Sequence, residues 1–335
     1  MRRIGRALRK SRQNWQASHR SRYSSPHYTL VVMKVIVTGG SGLLGRSVVK
    51  RFNDNGHSVL GLSLTRNGDG LQKIDLRDEH KVKDLIIGFR PDILIHCAAE
   101  RRPDVAEKDP KGVAELNVRV TEHLAELSSQ LDFKLIYICT DYIFDGNAPE
   151  GGYDVDATAN PTNLYGKTKL AGEEALLKKG QPGKFTSLRV PVLYGEAERN
   201  DESAINVLVD GVKKASEGEK VKMDDWATRF PTLVDDVARV LEEISTYKQD
   251  LPPLLNFSSQ TQYTKYSISL VFARLLNLNE AQISNLIPIS DPPKPGETIR
   301  PRDCRLSNCM IASLGIEVDI TDFTEWWKKY LKVVD

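Results

Sequence analysis

The chain has 335 residues, 40% hydrophobic, 27% charged and 7% aromatic, which suits one large α/β domain, or one domain carrying a smaller lobe. Its net charge of +2 hides an asymmetry: residues 1–32 hold eight Arg or Lys and no acid, so the remainder is mildly acidic and a nucleic-acid surface is not expected. No apolar run approaches the ~20 residues that span a bilayer, and Cys97, Cys139, Cys304 and Cys309 show neither CxxC spacing nor a histidine at ligand spacing, which argues against a metal site or disulfide framework.

Residues 1–32, rich in Arg and Ser, have the composition of a disordered basic extension or of a mitochondrial transit peptide. A reducing, cytoplasmic location is the expectation, with the mitochondrion the alternative if this extension is a targeting signal. The fold is expected to begin at Met33.

From there the chain alternates. Lys34–Thr38 is a β-branched run that reads as a buried strand. It meets the turn TGGSGLLG, Thr38 to Gly45, and then an amphipathic helix from Leu43 to Asn55, closed by Gly56. Ser58–Ser63 reads as a second strand, Lys73–Asp75 as a short third, and Glu79–Phe89 as a helix ending before Pro91. Asp92–Cys97 is a fourth strand, Val113–Gln130 a long helix, and Lys134–Cys139 a fifth strand. The stretch Tyr142–Asn160 reads as loop, followed by a helix over Asn163–Lys179 and a strand over Phe185–Val190. This rhythm predicts an α/β fold with a doubly wound parallel sheet, a Rossmann domain over residues 33–195. Beyond Gly195 helices dominate, with brief strands as at Leu254–Phe257, and residues 196–335 are expected to form a smaller C-terminal α/β lobe.

The glycine turn carries the first functional signal. Gly39, Gly42 and Gly45, with Ser41 between, lie at the first strand–helix junction. There the first glycine permits the tight turn, the second admits a pyrophosphate, and the third lets helix and strand pack closely. The same spacing in isolation would mark only a turn. An NAD-type site wants an acid about 20 residues on, at the end of the second strand. Here Ser63-Leu64-Thr65-Arg66 stands in that place, and Thr65 with Arg66 suits a 2′-phosphate, so NADP(H) is the expected cofactor. The alternative for Arg66 is a solvated surface side chain. Asp75 is placed to accept from an adenine amino group, with Leu76 against the ring, or else to cap the helix near Asp78.

The second signal is Tyr165 and Lys169, one turn apart on a helix. A lysine there can bond the nicotinamide ribose and lower the tyrosine's pKa, and Thr140, ending the fifth strand, can polarise the same carbonyl. Strand-end Thr, helix Tyr and Lys after a glycine turn make one coherent constellation of candidate catalytic residues, whose chemistry depends on what pocket surrounds them.

TGGSGLLG, CTDYIFDG (Cys139–Gly146), NLYGKTKLAGE (Asn163–Glu173) and LRVPVLYG (Leu188–Gly195) resemble the dTDP-4-dehydrorhamnose reductases, extended short-chain dehydrogenases/reductases. HCAAERRPDVAEKDP (His96–Pro110) and MDDWATRFPT (Met223–Thr232) are more similar to that family's offshoot, the regulatory beta subunits of methionine adenosyltransferase. The resemblance covers roughly Lys34 to Leu331. It implies an NADP site lined by Gly42, Leu43, Leu44, Leu64, Thr65, Arg66, Asp75, Leu76, Cys97, Arg101, Tyr165 and Leu193. It implies association with a methionine adenosyltransferase catalytic subunit and modulation of S-adenosylmethionine synthesis, with Thr140, Tyr165 and Lys169 vestigial. The alternative it leaves open is NADPH-dependent 4-keto reduction of a nucleotide-sugar. Arg101, Arg102 and Phe230, standing where the reductases carry small or neutral groups, favour the regulator; the intact Thr, Tyr and Lys favour the enzyme. Trp226 and Phe230 read equally as core anchors of the lobe, and Trp326, Trp327 and Tyr330 as one apolar helix stripe. The resemblance also implies a partner-binding tail past the last helix in animal subunits. This sequence ends at Asp335, so partner contact is expected through the folded surface around the crevice mouth.

Overall fold

Residues 32–68, 70–294 and 296–333 are described by the structure, a computed structural model; the reading of residues 1–32 as a basic extension falls, except for Val32, outside them. Seven strands form one sheet: β1 (Lys34–Thr38), β2 (Ser58–Ser63), β3 (Leu71–Lys73), β4 (Ile93–His96), β5 (Lys134–Thr140), β6 (Phe185–Val190) and β10 (Leu254–Asn256). Their spatial order is β3-β2-β1-β4-β5-β6-β10, every neighbour parallel. Parallel sheets are covered on both faces, and β1 shows it: Val35 and Val37 enter one core with the helix Leu43–Asp54, while Ile36 enters another with the helices Glu79–Phe89 and Val120–Leu131. The order reverses between β1 and β4, which opens a crevice beyond their carboxyl ends, where such folds bind ligands.

Local chemistry accounts for most boundaries. Asp78 accepts from the Lys81 amide and Asn163 from the Gly166 amide, each starting a helix. Arg90 and Asp132 take left-handed conformations that end two others. Three expectations shift. The third strand is Leu71–Lys73 rather than Lys73–Asp75, because Leu71 pairs with Gly61, which leaves open the space its side chain fills. The long helix over Val113–Gln130 is interrupted: Pro110–Ala114 runs into a π-helical turn, Glu115–Arg119, before Val120–Leu131. The wide turn aims Asn117 inward, a use often made of π-turns at functional sites. Leu254–Phe257, expected in the lobe, instead returns to the sheet as β10 beside β6. The helix Val234–Ser245 packs on Leu43–Asp54, tied by Arg51 to Glu242 at 2.7 Å.

The remaining C-terminal residues make the smaller α/β lobe. Two short sheets, β7 (Leu193–Tyr194) with β9 (Thr232–Leu233) and β8 (Val221–Asp224) with β11 (Leu286–Ile289), join the helices Leu208–Ser216, Lys265–Leu275 and Phe323–Tyr330. Its core holds Tyr194, Phe272, Phe323 and the fully buried Trp327. Trp327 is thus a core anchor, whereas Trp326 stays half-buried, stacked on Tyr330.

Candidate functional site

Thr38 ends β1 and the chain turns at Gly39, whose φ of 66° favours glycine. A Cβ there would lie 2.9 Å from the Ala98 amide, so only glycine lets the turn run against the segment after β4. A Cβ on Gly45 would collide with the Gly39 carbonyl; the third glycine seats the helix on the strand, as its spacing implies. The Gly42 amide donates to the Gly39 carbonyl at 2.8 Å, and no side chain caps the helix that follows. Its first amides are therefore left to the crevice, an arrangement suited to phosphate.

The crevice encloses about 720 Å³. Gly39, Ser41, Gly42, Leu43 and Leu44 line it, as do Leu64, Thr65, Asp75 and Leu76, and so do Cys97, Arg101, Thr140, Tyr165, Lys169 and Leu193. Sequence reasoning assigned each of these to one site, and the fold brings them together. Asp75 does not cap the helix, since Asp78 does; its carboxylate is gripped by Arg77, which holds it below the usual range.

Arg66 is the exception. Its guanidinium does not face the crevice but donates to the Ser41 carbonyl at 2.8 Å and to Glu202 at 2.8 Å, with Glu198 at 3.0 Å. It is therefore neither a solvated side chain nor an open anion seat. Arg46, one residue past the third glycine, mirrors it, donating to the Ser41 carbonyl at 2.7 Å and to Glu202 at 2.6 Å. Burial alone would raise the Glu202 carboxyl, but the hydrogen bonds from Arg46 and Arg66 outweigh it and hold it down at about 2. Sequence reasoning missed both Arg46 and Glu202. A basic residue directly after GLLG was a visible signal for the first; nothing local marked the second.

At the other end, Thr140 donates to Asp141 at 3.0 Å and lies beside Tyr165. Here the electrostatics depart from expectation. Burial pushes the Tyr165 phenol well up, and its interaction with the Thr140 side chain only partly opposes it. The Lys169 ammonium sits 4.0 Å from the centre of the Tyr137 ring, and burial lowers it to about 8. Tyr165 is thus a neutral phenol that carries a proton to donate. Asn117, unnoticed in the sequence, braces this end, its side chain bonded to both backbone groups of Glu100 and to the Thr168 hydroxyl.

The wall opposite is cationic. Arg101, Arg102, Arg229, Lys265 and Arg300 all line it. Arg102 is paired with Glu100 at 2.7 Å, Arg300 with Asp104 at 2.8 Å, and Arg101 reaches the Asp201 carbonyl at 3.2 Å. Arg229 is buried, with its Nη2 unbonded and 3.7 Å from Asp224. Burial raises the Asp141 carboxyl to about 7 against the pull of Arg229, and burial together with Arg229 and Arg300 lowers Lys265 to about 8. Phe230 takes the core-anchor alternative of its sequence reading: it is 1% exposed, beneath the Arg305 guanidinium, while its neighbour Arg229 lines the crevice.

The dTDP-4-dehydrorhamnose reductase of Bacillus anthracis, solved in complex with NADP, superposes with a TM-score of 0.75 over 90% of this chain and 98% of its own, at 23% identity; the likeness is one of fold. A model of the RmlD substrate binding domain family matches residues 33–335. The methionine adenosyltransferase 2 subunit beta of Xenopus tropicalis is 40% identical over 291 residues, 86% of this chain and 84% of its own. That of Bos taurus is 40% identical over 287 residues, 84% of this chain and 83% of its own. The chain belongs to the methionine adenosyltransferase 2 subunit beta family. The family match spans the sheet, the lobe and the crevice between residues 33 and 335, and no helix among the described residues is long and apolar enough to cross a membrane.

Proposed function

We propose that this chain is an NADP(H)-binding regulatory subunit that associates with a methionine adenosyltransferase catalytic subunit and modulates S-adenosylmethionine synthesis without reducing a substrate of its own. The observation that carries the reading is the 40% identity to subunit beta proteins over most of both chains. The crevice supports the cofactor: Gly39, Ser41, Gly42, Leu43 and Leu44 offer backbone to a pyrophosphate, and Leu64, Thr65, Asp75 and Leu76 a pocket to the adenosine. Cys97, Arg101, Tyr165, Lys169 and Leu193 lie where the nicotinamide half would reach. In this reading residues 33–195 hold the dinucleotide, residues 196–335 face the partner, and β10 with the helix Val234–Ser245 serves as the first unit's outer support.

A second reading, NADPH-dependent reduction of a 4-keto nucleotide-sugar, is favoured by one observation: Thr140, Tyr165 and Lys169 converge on the crevice with a neutral phenol ready to donate. Bound NADPH would supply hydride; Tyr165 would give its proton to the carbonyl oxygen, oriented by Thr140, and Lys169 would hold the ribose. The cations opposite would bear on the sugar's pyrophosphate.

Tyr165→Phe separates the two. Loss of one hydroxyl leaves the contact surface nearly unchanged, so the variant is expected to co-purify with the adenosyltransferase catalytic subunit, and to alter its rate, as the native chain does. The enzyme reading requires reductase turnover that falls by roughly 10²-fold or more in the variant. Mass spectrometry of the captured complex, beside NADPH oxidation with dTDP-4-keto-6-deoxyglucose, reads both. Turnover without an adenosyltransferase in the complex overturns the first reading.

NADPH is expected to bind more tightly than NADH, and Arg66→Asp to weaken NADPH by more than tenfold, about 1.4 kcal/mol or beyond, since it adds a third carboxylate beside Glu198 and Glu202. Quenching of protein fluorescence on titration measures it. Equal native affinities for the two cofactors would remove the basis for the NADP(H) assignment.

A further inference from the structure

Glu202 lies on a strap, residues 195–203, that joins β7 to the lobe helix Leu208–Ser216 and lines the crevice at Glu202 and Ser203. The strap is pinned at its base: the Ser203 hydroxyl donates to the Leu193 carbonyl at 2.7 Å and the Asn200 amide group to Asp210 at 2.7 Å. Its tip is exposed at Glu196, Glu198, Arg199 and Asp201, and it is held by polar contacts at the surface: Glu198 to Arg66 at 3.0 Å, Arg101 to the Asp201 carbonyl at 3.2 Å and Tyr330 to the Ala197 carbonyl at 3.4 Å. The Glu202 carboxylate points from this strap into the crevice wall and fills the gap between the guanidinium groups of Arg46 and Arg66. Those two groups are fixed from below, both on the Ser41 carbonyl of the glycine turn. Two rigidly placed guanidiniums beside a glycine turn and the end of β2 form a seat for one tetrahedral anion, and a carboxylate from 136 residues beyond Arg66 sits in it.

We propose that Glu202 sets the discrimination of this crevice between 2′-phosphorylated and unphosphorylated dinucleotides: its carboxylate occupies the 2′-phosphate seat between Arg46 and Arg66 and must leave for NADP(H), but stays for NAD(H). The proposal rests on the dinucleotide reading above. An unphosphorylated adenosine ribose offers a 2′-hydroxyl that donates to Glu202, which thereby supplies from the strap the acid that the end of β2 lacks. A 2′-phosphate is an acceptor only; it cannot share the seat with a carboxylate, and it draws both guanidiniums by carrying more negative charge. Glu198, 3.0 Å from Arg66 and 3.8 Å from Arg46, is displaced with the same strap. Glu202 therefore narrows the preference for NADP(H) that the arginines create, and couples occupancy by the phosphorylated form to the position of residues 196–202.

The test titrates NADPH and NADH into the native chain and into Glu202→Gln, which keeps the side-chain shape and removes the charge. The ratio of the NADH to the NADPH dissociation constant is expected to grow by tenfold or more in the variant, through tighter NADPH binding and unchanged or weaker NADH binding. An unchanged ratio overturns the proposal while the dinucleotide reading stands. Binding of neither cofactor to either protein overturns both. Amide hydrogen exchange on the native chain gives a readout that needs no variant: NADPH should speed exchange at residues 196–202 and NADH should not, and identical strap protection under both saturating cofactors counts against displacement of Glu202.

Discussion

Gly42→Val is expected to abolish NADPH binding, a loss on the order of 10³-fold or about 4 kcal/mol, while the protein stays folded. The backbone at Gly42 is extended, with φ −81° and ψ 171°, so valine meets no conformational penalty there. Its Cβ would sit 3.2 Å from the Gly39 carbonyl oxygen, a contact relieved by a shift of a few tenths of an ångström. The two methyl groups beyond it would project where a pyrophosphate must approach the first amides of the helix Leu43–Asp54, and a branched side chain there excludes the ligand. Gly45→Val is the contrast: its Cβ collides with the Gly39 carbonyl, so that variant should fail to fold rather than fail to bind. Calorimetric titration of Gly42→Val, with thermal unfolding in the absence of cofactor as the control, separates the cases. A native-like NADPH affinity in a folded Gly42→Val protein would make the turn purely structural.

Glu173→Ala is expected to cost about 3–5 kcal/mol of folding stability. Glu173, on the helix Leu164–Lys179, takes both arms of Arg189 from β6: Nη2 donates at 2.6 Å and Nε at 3.0 Å, and the Ser187 hydroxyl adds a third bond at 2.6 Å. The two side chains are 4% and 2% exposed. Removing the carboxylate strands a guanidinium between sheet and helix with only the Val155 carbonyl, at 2.9 Å, and the Phe144 ring, at 5.5 Å, as company. The penalty is that of an uncompensated buried charge rather than of one hydrogen bond. Denaturant unfolding should show a lower midpoint with an unchanged slope. The double variant Glu173→Leu with Arg189→Met should recover much of the loss, because neither charge then remains to be solvated. A single-variant cost below about 1 kcal/mol would mean that Arg189 escapes to solvent.

Much of this molecule was legible because its signals are local. The run Lys34–Thr38, the glycines at 39, 42 and 45, and the helix closed by Asn55 and Gly56 form a contiguous strand, turn and helix, and each boundary has a residue that enforces it. The same holds for Asn163, which caps the helix that carries Tyr165 and Lys169 on one face. Strand β3 was misplaced by two residues because its register depends on Leu71 meeting Gly61 on another strand. Phe230 is buried while its neighbour Arg229, unremarked in the sequence, lines the crevice, because only the packing of the lobe decides which of two neighbours turns inward.

By itself, then, the sequence determined the doubly wound sheet, the place of the crevice and part of its lining, from the glycine turn to Tyr165 and Lys169, since hydrophobic period, glycine spacing and caps act within a few residues of where they are read. Tertiary structure alone decided what those residues do to one another. Arg66 meets Glu202, Glu173 meets Arg189, Asn117 meets Thr168, and β10 returns to the sheet from beyond the lobe. Charge pairing has no period and no local signature: its sign and strength follow from distance and desolvation, and both come into being only when the folded chain brings distant side chains to the same few ångströms.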